Sequence, residues 1–484
     1  MQLALARVAV LVSGAAILIV ETLATRLVAP YVGLTLESTT AVIGVALAGI
    51  AVGAAIGGKQ ADTSDPRRVA AVALAVGGLG VLAVRPLIRL IGPLLGNGAS
   101  AAILLVIVST LVSVTALAAV TPAVTRARLD GIDGSGGVIG SLSALGTIGS
   151  LAGTFLTGFV LVALLPVSAI LFVTAAACLV LALVVATTRT RREIGTIGGA
   201  AAVLAAALVV VPGRCDVDTT YYCASVVPGD RPSERVLVLD DLRHSAVDLA
   251  DPAHLEFAYT LRFADAIDTA FPARAPLRAV HVGGGGFTMP RWLAATRPGS
   301  TSTVLELDRG VVELGERELG VGSIPGLTTR VGDARTGLSA LPDASADLVV
   351  GDAFGARSVP WHLATAEFAD EVHRVLRPGG LYVLNVIDHD PLALLRAVTA
   401  TVGDRFGSVA LMARPDQLAP GGGGNAVVVV SDRAVDTAAL AAAAATRGEP
   451  GSVLDPAATR SLAGDAEVLT DDHAPVDQLG ARGR

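Results

Sequence analysis

The first 212 residues carry repeated apolar runs of about 20 residues, separated by short polar stretches. A run of that length crosses a bilayer as a helix. The pattern predicts spans at roughly 8–29, 39–58, 69–91, 100–121, 137–162, 167–187 and 194–212. Arg85, Pro86 and Arg89 interrupt the third, and the seventh is short and rich in alanine and glycine. The first runs on to Arg26 without a small-residue cleavage site, so it reads as a span and not a signal peptide. After residue 212 the period changes. "TTYYCASVV", "RVLVLD" and "HSAVDL" alternate as short strands, and 254–270 reads as a helix. From residue 278 apolar strands and amphipathic helices take turns. The strands are "RAVHVG", "STVLELD", "LTTRVGD", "ADLVVGDAF" and "LYVLNVID"; the helices are 290–297, 309–319, 362–376 and 391–402. "SVALMA" and "AVVVVS" close the series as a hairpin. This order implies a doubly wound, mostly parallel sheet. The chain therefore divides into a helical membrane domain of about seven spans (1–212), a β-rich lead-in region (213–275) and an α/β domain (276–484).

Composition supports two solvents for the two halves. The chain of 484 residues is 52% hydrophobic and only 16% charged, too apolar for an ordinary soluble protein. All seven histidines and both tryptophans follow residue 212. Residues 1–212 carry a net charge of +5 and the remainder −12. An acidic soluble half argues against nucleic-acid binding, which needs a basic face. Basic residues also orient the spans. Lys59, Arg67 and Arg68 follow the second, Arg126 and Arg128 the fourth, and Arg189, Arg191 and Arg192 the sixth, while Arg7 precedes the first. With seven spans the N-terminus lies in the cytoplasm and residues 213–484 outside. An even number would reverse the soluble half.

Some polar residues have two readings. Glu21 and Arg26 sit in or at the end of the first span. They are either a functional pair in the membrane or a snorkelling arginine with a paired acid. "GSLSALGTIGSLAGTFLTG" (140–158) places small residues at three- and four-residue spacing, which fits close helix packing. Cys178 lies in the sixth span as an apolar filler. Cys215 and Cys223 form a disulfide, a free thiol pair or, least in keeping with their surroundings, part of a metal site.

The chemistry is expected beyond the carboxyl ends of the parallel strands. Gly283, Gly284, Gly285 and Gly286 follow the first of them and let a ligand approach the backbone beside a helix N-terminus. Glu306 ends the second, where a carboxylate accepts ribose hydroxyls. Asp333 and Ala334 end the third, where an adenine amino group would lie. Asp352 ends the fourth and faces the reacting centre. The alternative for Glu306 and Asp333 is that each caps the following helix. Trp361 and His362 either line an acceptor pocket beside Asp352 or simply open a helix. Asp471, Asp472 and His473 either close over the site or form a turn.

Residues 215–480 resemble spermidine synthases and related adenosylmethionine-dependent transferases, through "TTYY", "VLVLDD", "HVGGGG", "VLELDRGVVELG", "VGDAR", "DLVVGDAF", "VLRPGGLYVLN" and "LTDDHAPVDQL". The whole chain resembles bacterial membrane proteins that fuse a transporter-like helical half to a spermidine-synthase-like domain; "ExxxxRxxAP" (21–30) and "GTIGSLAGTFLTGFVL" fit that group. "GAAIGGKQADTSDPRR" (53–68) is similar to a cytoplasmic loop of major facilitator transporters, although such transporters need about twice as many spans. The resemblance implies a Rossmann-like methyltransferase/spermidine-synthase fold that takes adenosylmethionine or its decarboxylated form. It also implies a small-molecule acceptor, with polyamines as the family's class, and no metal. A homo-oligomer stays open.

The chain departs from that family where the acceptor's charge would be met. Gly286 and Gly355 stand where aminopropyltransferases carry acids, and Tyr259-Thr260-Leu261 stands at their Tyr-His-Glu run. A diamine is a dication, and its carboxylate partners are worth about 1.5–3 kcal/mol per charged hydrogen bond. These departures argue against efficient aminopropyl transfer; methyl transfer asks less. Two functions follow: a membrane-anchored transferase, or a transport or scaffold protein whose nucleotide fold binds without turnover.

Overall fold

The computed structural model describes residues 2–481 apart from 33–35, 96–98, 130–134, 187–198, 208–214, 241 and 354–358. The chain forms two units, Met1–Tyr222 and Cys223–Arg484.

The first unit is helical: α1 (Leu3–Val32), α2 (Leu36–Thr63), α3 (Pro66–Ile91), α4 (Ala99–Ala118), α5 (Val120–Arg126), α6 (Ser135–Leu156), α7 (Val162–Leu164) and α8 (Val167–Val185). A π-turn at Thr157–Leu161 joins α6 to α7. Residues 199–207 form α9, and β1 (Val217–Asp218) ends the unit. Among the described residues six helices are long and apolar enough to cross a membrane. They match the first six predicted spans. Of the seventh, only 199–207 is described, as helix; the rest lies outside the described residues. The third, whose apolar run Arg85, Pro86 and Arg89 interrupt, is one continuous helix through Pro86. Its Arg85 meets Asp218 at 3.2 Å and so has a carboxylate partner beyond the apolar run. Glu21 and Arg26 are both half-buried on α1.

Glycine sets the helix contacts. A Cβ on Gly149 of α6 would collide with the Leu11 carbonyl of α1, and one on Gly153 would stand 2.5 Å from the Ala15 carbonyl. Gly149 and Gly153, within 140–158, therefore serve close helix packing, as their spacing predicts. Gly136, Gly137, Gly140 and Gly158 lie on open faces, in keeping with a helix that exposes Ile148, Leu151 and Phe155. Cys215 and Cys223 are disulfide-bonded, and Cys178 is a buried free thiol.

In the second unit β2 (Cys223–Pro228), β3 (Glu234–Leu239) and β4 (Leu242–Asp248) pair in sequence as an antiparallel meander. After α10 (Ala258–Ala270) comes the main sheet. Its strands are β5 (Arg278–Val282), β6 (Thr301–Glu306), β7 (Leu327–Val331), β8 (Ala346–Gly351), β9 (Leu376–His389), β10 (Ser408–Met412), β11 (Gly423–Ser431) and β12 (Val453–Leu454). The order is β12-β10-β11-β9-β8-β5-β6-β7. β7, β6, β5, β8 and β9 run parallel, whereas β11, β10 and β12 pair antiparallel. The connecting helices are α11 (Thr288–Thr296), α12 (Arg309–Glu318), α13 (Ala334–Ser339), α14 (Ala366–Val375), α15 (Ala393–Arg405), α16 (Pro415–Leu418), α17 (Thr437–Thr446), α18 (Pro456–Ala463) and α19 (Val476–Ala481). The longer ones bury apolar side chains against the sheet. Phe368 and Val372 of α14 and Leu395 and Val398 of α15 pack on one side of the sheet, and Phe263 and Ile267 of α10 on the other. The strands carry apolar side chains on both faces, as a doubly covered parallel sheet requires. β5 lies between β8 and β6, so the chain reverses direction across the sheet there, and the crevice for a ligand falls at their carboxyl ends.

Candidate functional site

The glycine loop and Asp352 meet at that reversal. The Asp352 N–H donates to the Val282 carbonyl at 2.9 Å, and the Gly283 N–H to the Leu305 carbonyl at 3.0 Å. Gly283 holds φ of +94°, and a Cβ there would stand 2.5 Å from the Asp352 carbonyl. Only glycine takes both that backbone and that approach.

Glu306 ends β6 and is 7% exposed. Its Oε2 accepts from the Gly284 and Gly285 N–H groups at 2.8 and 3.2 Å, and its Oε1 from Asp308 N–H at 2.9 Å. Burial pushes its carboxyl up, and those three backbone donors pull it back down. Glu306 caps no helix; Asp308 caps α12 through Gly310 N–H. Oε1 retains room for another donor.

Asp333 does cap α13, accepting from the Arg335 and Thr336 N–H groups. Its second oxygen lies 2.7 Å from His362 Nε2. Desolvation raises the carboxyl, but these partners together hold it below the usual range. Ala334 is buried as the first residue of α13. His362 thus turns to Asp333, and neither it nor Trp361 lines the cavities beside Asp352. The tail forms a turn, with Thr470 and His473 bonded to each other through backbone. It also reaches this end of the site: Asp471 clamps Arg335 with two bonds of 2.6 Å and accepts from Thr365.

Asp352 is held from two sides. Tyr259 of α10 donates to Oδ2 at 3.0 Å, and Asn385 of β9 to Oδ1 at 3.1 Å. Asn425 donates to Asn385 in turn at 3.0 Å. Burial pushes the Asp352 carboxyl up to about 6, although these two donors oppose the rise. Burial and the neighbouring carboxylate hold the Tyr259 hydroxyl well above its usual value, so it stays a donor.

Asp352 lines two cavities. One is small and runs along Gly283, Gly284, Gly285, Ser245 and His281. The other, of about 260 Å³, includes Arg243, Tyr259, Arg262, Asn385, Gln417 and Asn425. Among the described residues Asp352 is the only acid on either lining, and the larger cavity carries two arginines. Arg262 is spent on Glu449, which it meets through two bonds. Arg243 stacks over Phe257 at 5.7 Å.

Two side chains escape sequence reasoning. Asn385 is a buried amide in the apolar run "LYVLNVI", a signal that was there to read. Ser245 comes from the meander and gives no such signal. Its Oγ is buried without a hydrogen bond among the described residues, facing the glycine loop. A side chain at Gly286 would strike this hydroxyl, so Ser245 fills the space where an acid was expected. Gly355 lies outside the described residues.

A parallel sheet with a glycine loop and strand-end acids at its reversal, and an antiparallel meander before it, defines the spermidine-synthase and methyltransferase class of fold. Residues 280–384 match the methyltransferase domain family. A stretch of 119 residues is 30% identical to the polyamine aminopropyltransferase of Vibrio vulnificus (strain CMCP6), covering 24% of this chain and 40% of that enzyme. The match thus spans under half of that relative's length. The solved structure of a probable spermidine synthase from Corynebacterium glutamicum is 28% identical, with a TM-score of 0.50, over 55% of this chain and 99% of that one. The chain joins a membrane-type helical half to a spermidine-synthase-like domain.

Proposed function

We propose that this is a membrane-anchored transferase: its second unit binds an adenosylmethionine-type nucleoside and passes an alkyl group to a small acceptor. The observation that carries this reading is Asp352, a carboxyl pushed up to about 6 and lining both the glycine-loop cavity and the larger one. Glu306, with acceptor capacity left on Oε1, takes the ribose. Asp333 and Ala334 take the adenine edge, with His362 holding the second Asp333 oxygen. Ser245, an orphaned hydroxyl at the loop, bonds the donor's tail. Bound in this way, the sulfonium donor supplies an electrophilic carbon. The acceptor's nucleophile forms the new bond to that carbon, the carbon–sulfur bond breaks, and the acceptor's proton passes to Asp352. A thioether nucleoside leaves.

The acceptor is not putrescine. A dication needs several acids, and among the described residues the cavity offers one, Asp352, beside the cationic Arg243, while Arg262 is paired with Glu449. Methyl transfer from adenosylmethionine fits this charge balance better than aminopropyl transfer. We also propose that residues 223–484 lie outside the cytoplasm. The basic loops and the Cys215–Cys223 disulfide support that side.

Calorimetry on the full chain in detergent tests the reading. Adenosylmethionine or methylthioadenosine should bind, and Glu306→Gln should weaken binding by about 1.5 kcal/mol or more, the scale of a charged hydrogen bond. Unchanged affinity removes Glu306 from the site. Decarboxylated adenosylmethionine and putrescine should yield no rapid spermidine; rapid formation abolished by Asp352→Asn would overturn the acceptor assignment. Nucleoside binding without transfer to any acceptor would favour a binding or scaffold role.

A further inference from the structure

Away from that site, the start of β3 and the segment leading into α10 bring together Glu234, His254 and Glu256. One ligand atom from each lies within 4.8 Å of the other two, and His254 Nε2 stands 3.3 Å from Glu256 Oε2. Glu234 is the unusual member. It is fully buried at 0% exposure, in a strand whose register sets it opposite Asp248. Its Oε2 accepts from the Asp230 and Arg231 N–H groups at 2.7 and 3.2 Å. Its Oε1 is buried with no hydrogen-bond partner among the described residues.

A buried carboxylate with one oxygen uncompensated is costly, so the question is which cation answers it. The nearby guanidiniums do not. Arg231 reaches Asp248 at 2.9 Å and Asp251 at 3.6 Å. Arg235 donates to the Pro232 and Glu234 carbonyls. The imidazole of His254 and the second carboxylate of Glu256 are what remain, and an imidazole with two carboxylates is a ligand set for a transition metal.

We propose that Glu234, His254 and Glu256 bind one divalent transition-metal ion, with zinc the best fit to this donor set. Magnesium and calcium prefer oxygen alone. Zinc sits about 2.0–2.2 Å from nitrogen and oxygen ligands, which places ligand atoms about 3–4 Å apart. Glu234 is fixed by its backbone partners. His254 and Glu256 are partly exposed, and small rotations of their side chains close the remaining gap. A fourth position stays open to water. The ion would brace the segment just ahead of Phe257 and Tyr259, both of which line the larger cavity. The proposal stands independently of the transferase reading.

The test uses untagged full-length protein in detergent, oxidised, stripped with a chelator and dialysed against zinc chloride or magnesium chloride. Mass spectrometry of the metal content should find one zinc and no magnesium per chain. Calorimetry with zinc chloride should show His254→Ala and Glu256→Gln each weakening binding by at least about tenfold, with thermal melts confirming that both variants fold. Cobalt-loaded wild type gives a second readout that needs no variant: nitrogen and oxygen ligation without sulfur charge-transfer absorption. No zinc above the detergent blank, zinc binding unchanged in His254→Ala, or a sulfur signature pointing to Cys215 and Cys223 would each overturn the site.

Discussion

At the scale of single residues, Asp352 sits where the two cavities meet. Its carboxyl is pushed up to about 6 from a usual value of 3.8 because burial disfavours the charge. A base works ionised, so any proton-abstracting turnover should rise about tenfold per pH unit below about 6 and level off above it. The sign for stability is opposite. A carboxyl raised in the folded state contributes stability that is complete below about 4 and lost as pH rises through about 6. Asp265 is also pushed up to about 6, so the comparison must be between proteins that share it. Asp352→Asn should therefore lose less stability than wild type between pH 4 and 7, by on the order of 1–3 kcal/mol. Parallel denaturation curves across that range would show that Asp352 titrates normally. Asp352 and Glu306 were legible because strand ends are legible: an acid closing an apolar run points to the ligand edge of a parallel sheet. Ser245 was not, because nothing local tells a strand of the meander that its hydroxyl will meet Gly286, 41 positions away.

Among the elements, the crossing of α1 and α6 is the most specified. Gly149 is pressed against the Leu11 carbonyl, whereas Gly140 on the same helix has open space around it. Gly149→Leu should destabilise the full chain in detergent by about 1–3 kcal/mol, the cost of overpacking a close contact. Gly140→Leu should be near neutral. Equal melting midpoints for the two would show that the helices do not meet there. The apolar pattern located these helices well, since length and hydropathy are local properties. It placed α3 as well, although Pro86 and two arginines fall within the run. It could not show that Asp218 receives Arg85, because that partner lies 133 positions downstream. In the second unit the strand and helix alternation followed the sequence closely. The helix predicted over 362–376 ends at Val375, just before "RPGG", which opens the long strand β9.

For the whole molecule, the side of the membrane follows from parity. The proposed placement takes the N-terminus as inside, from Arg7 and the even-numbered basic loops, so that six spans return residue 186 to the cytoplasm and the predicted seventh span at 194–212 carries the remainder out. An alkaline phosphatase fusion at residue 484 should be active and a fluorescent-protein fusion at the same position dark. The reverse pattern would place the second unit in the cytoplasm and give it direct access to adenosylmethionine.

The two cavities that share Asp352 are, in thermodynamic terms, one system. A positive charge arriving in the glycine-loop chamber makes the carboxyl easier to ionise, and an ionised carboxyl changes what the larger chamber prefers to hold. Such coupling is reciprocal, so whatever fills either chamber helps to select the occupant of the other, and a proton leaving Asp352 is the message passed between them.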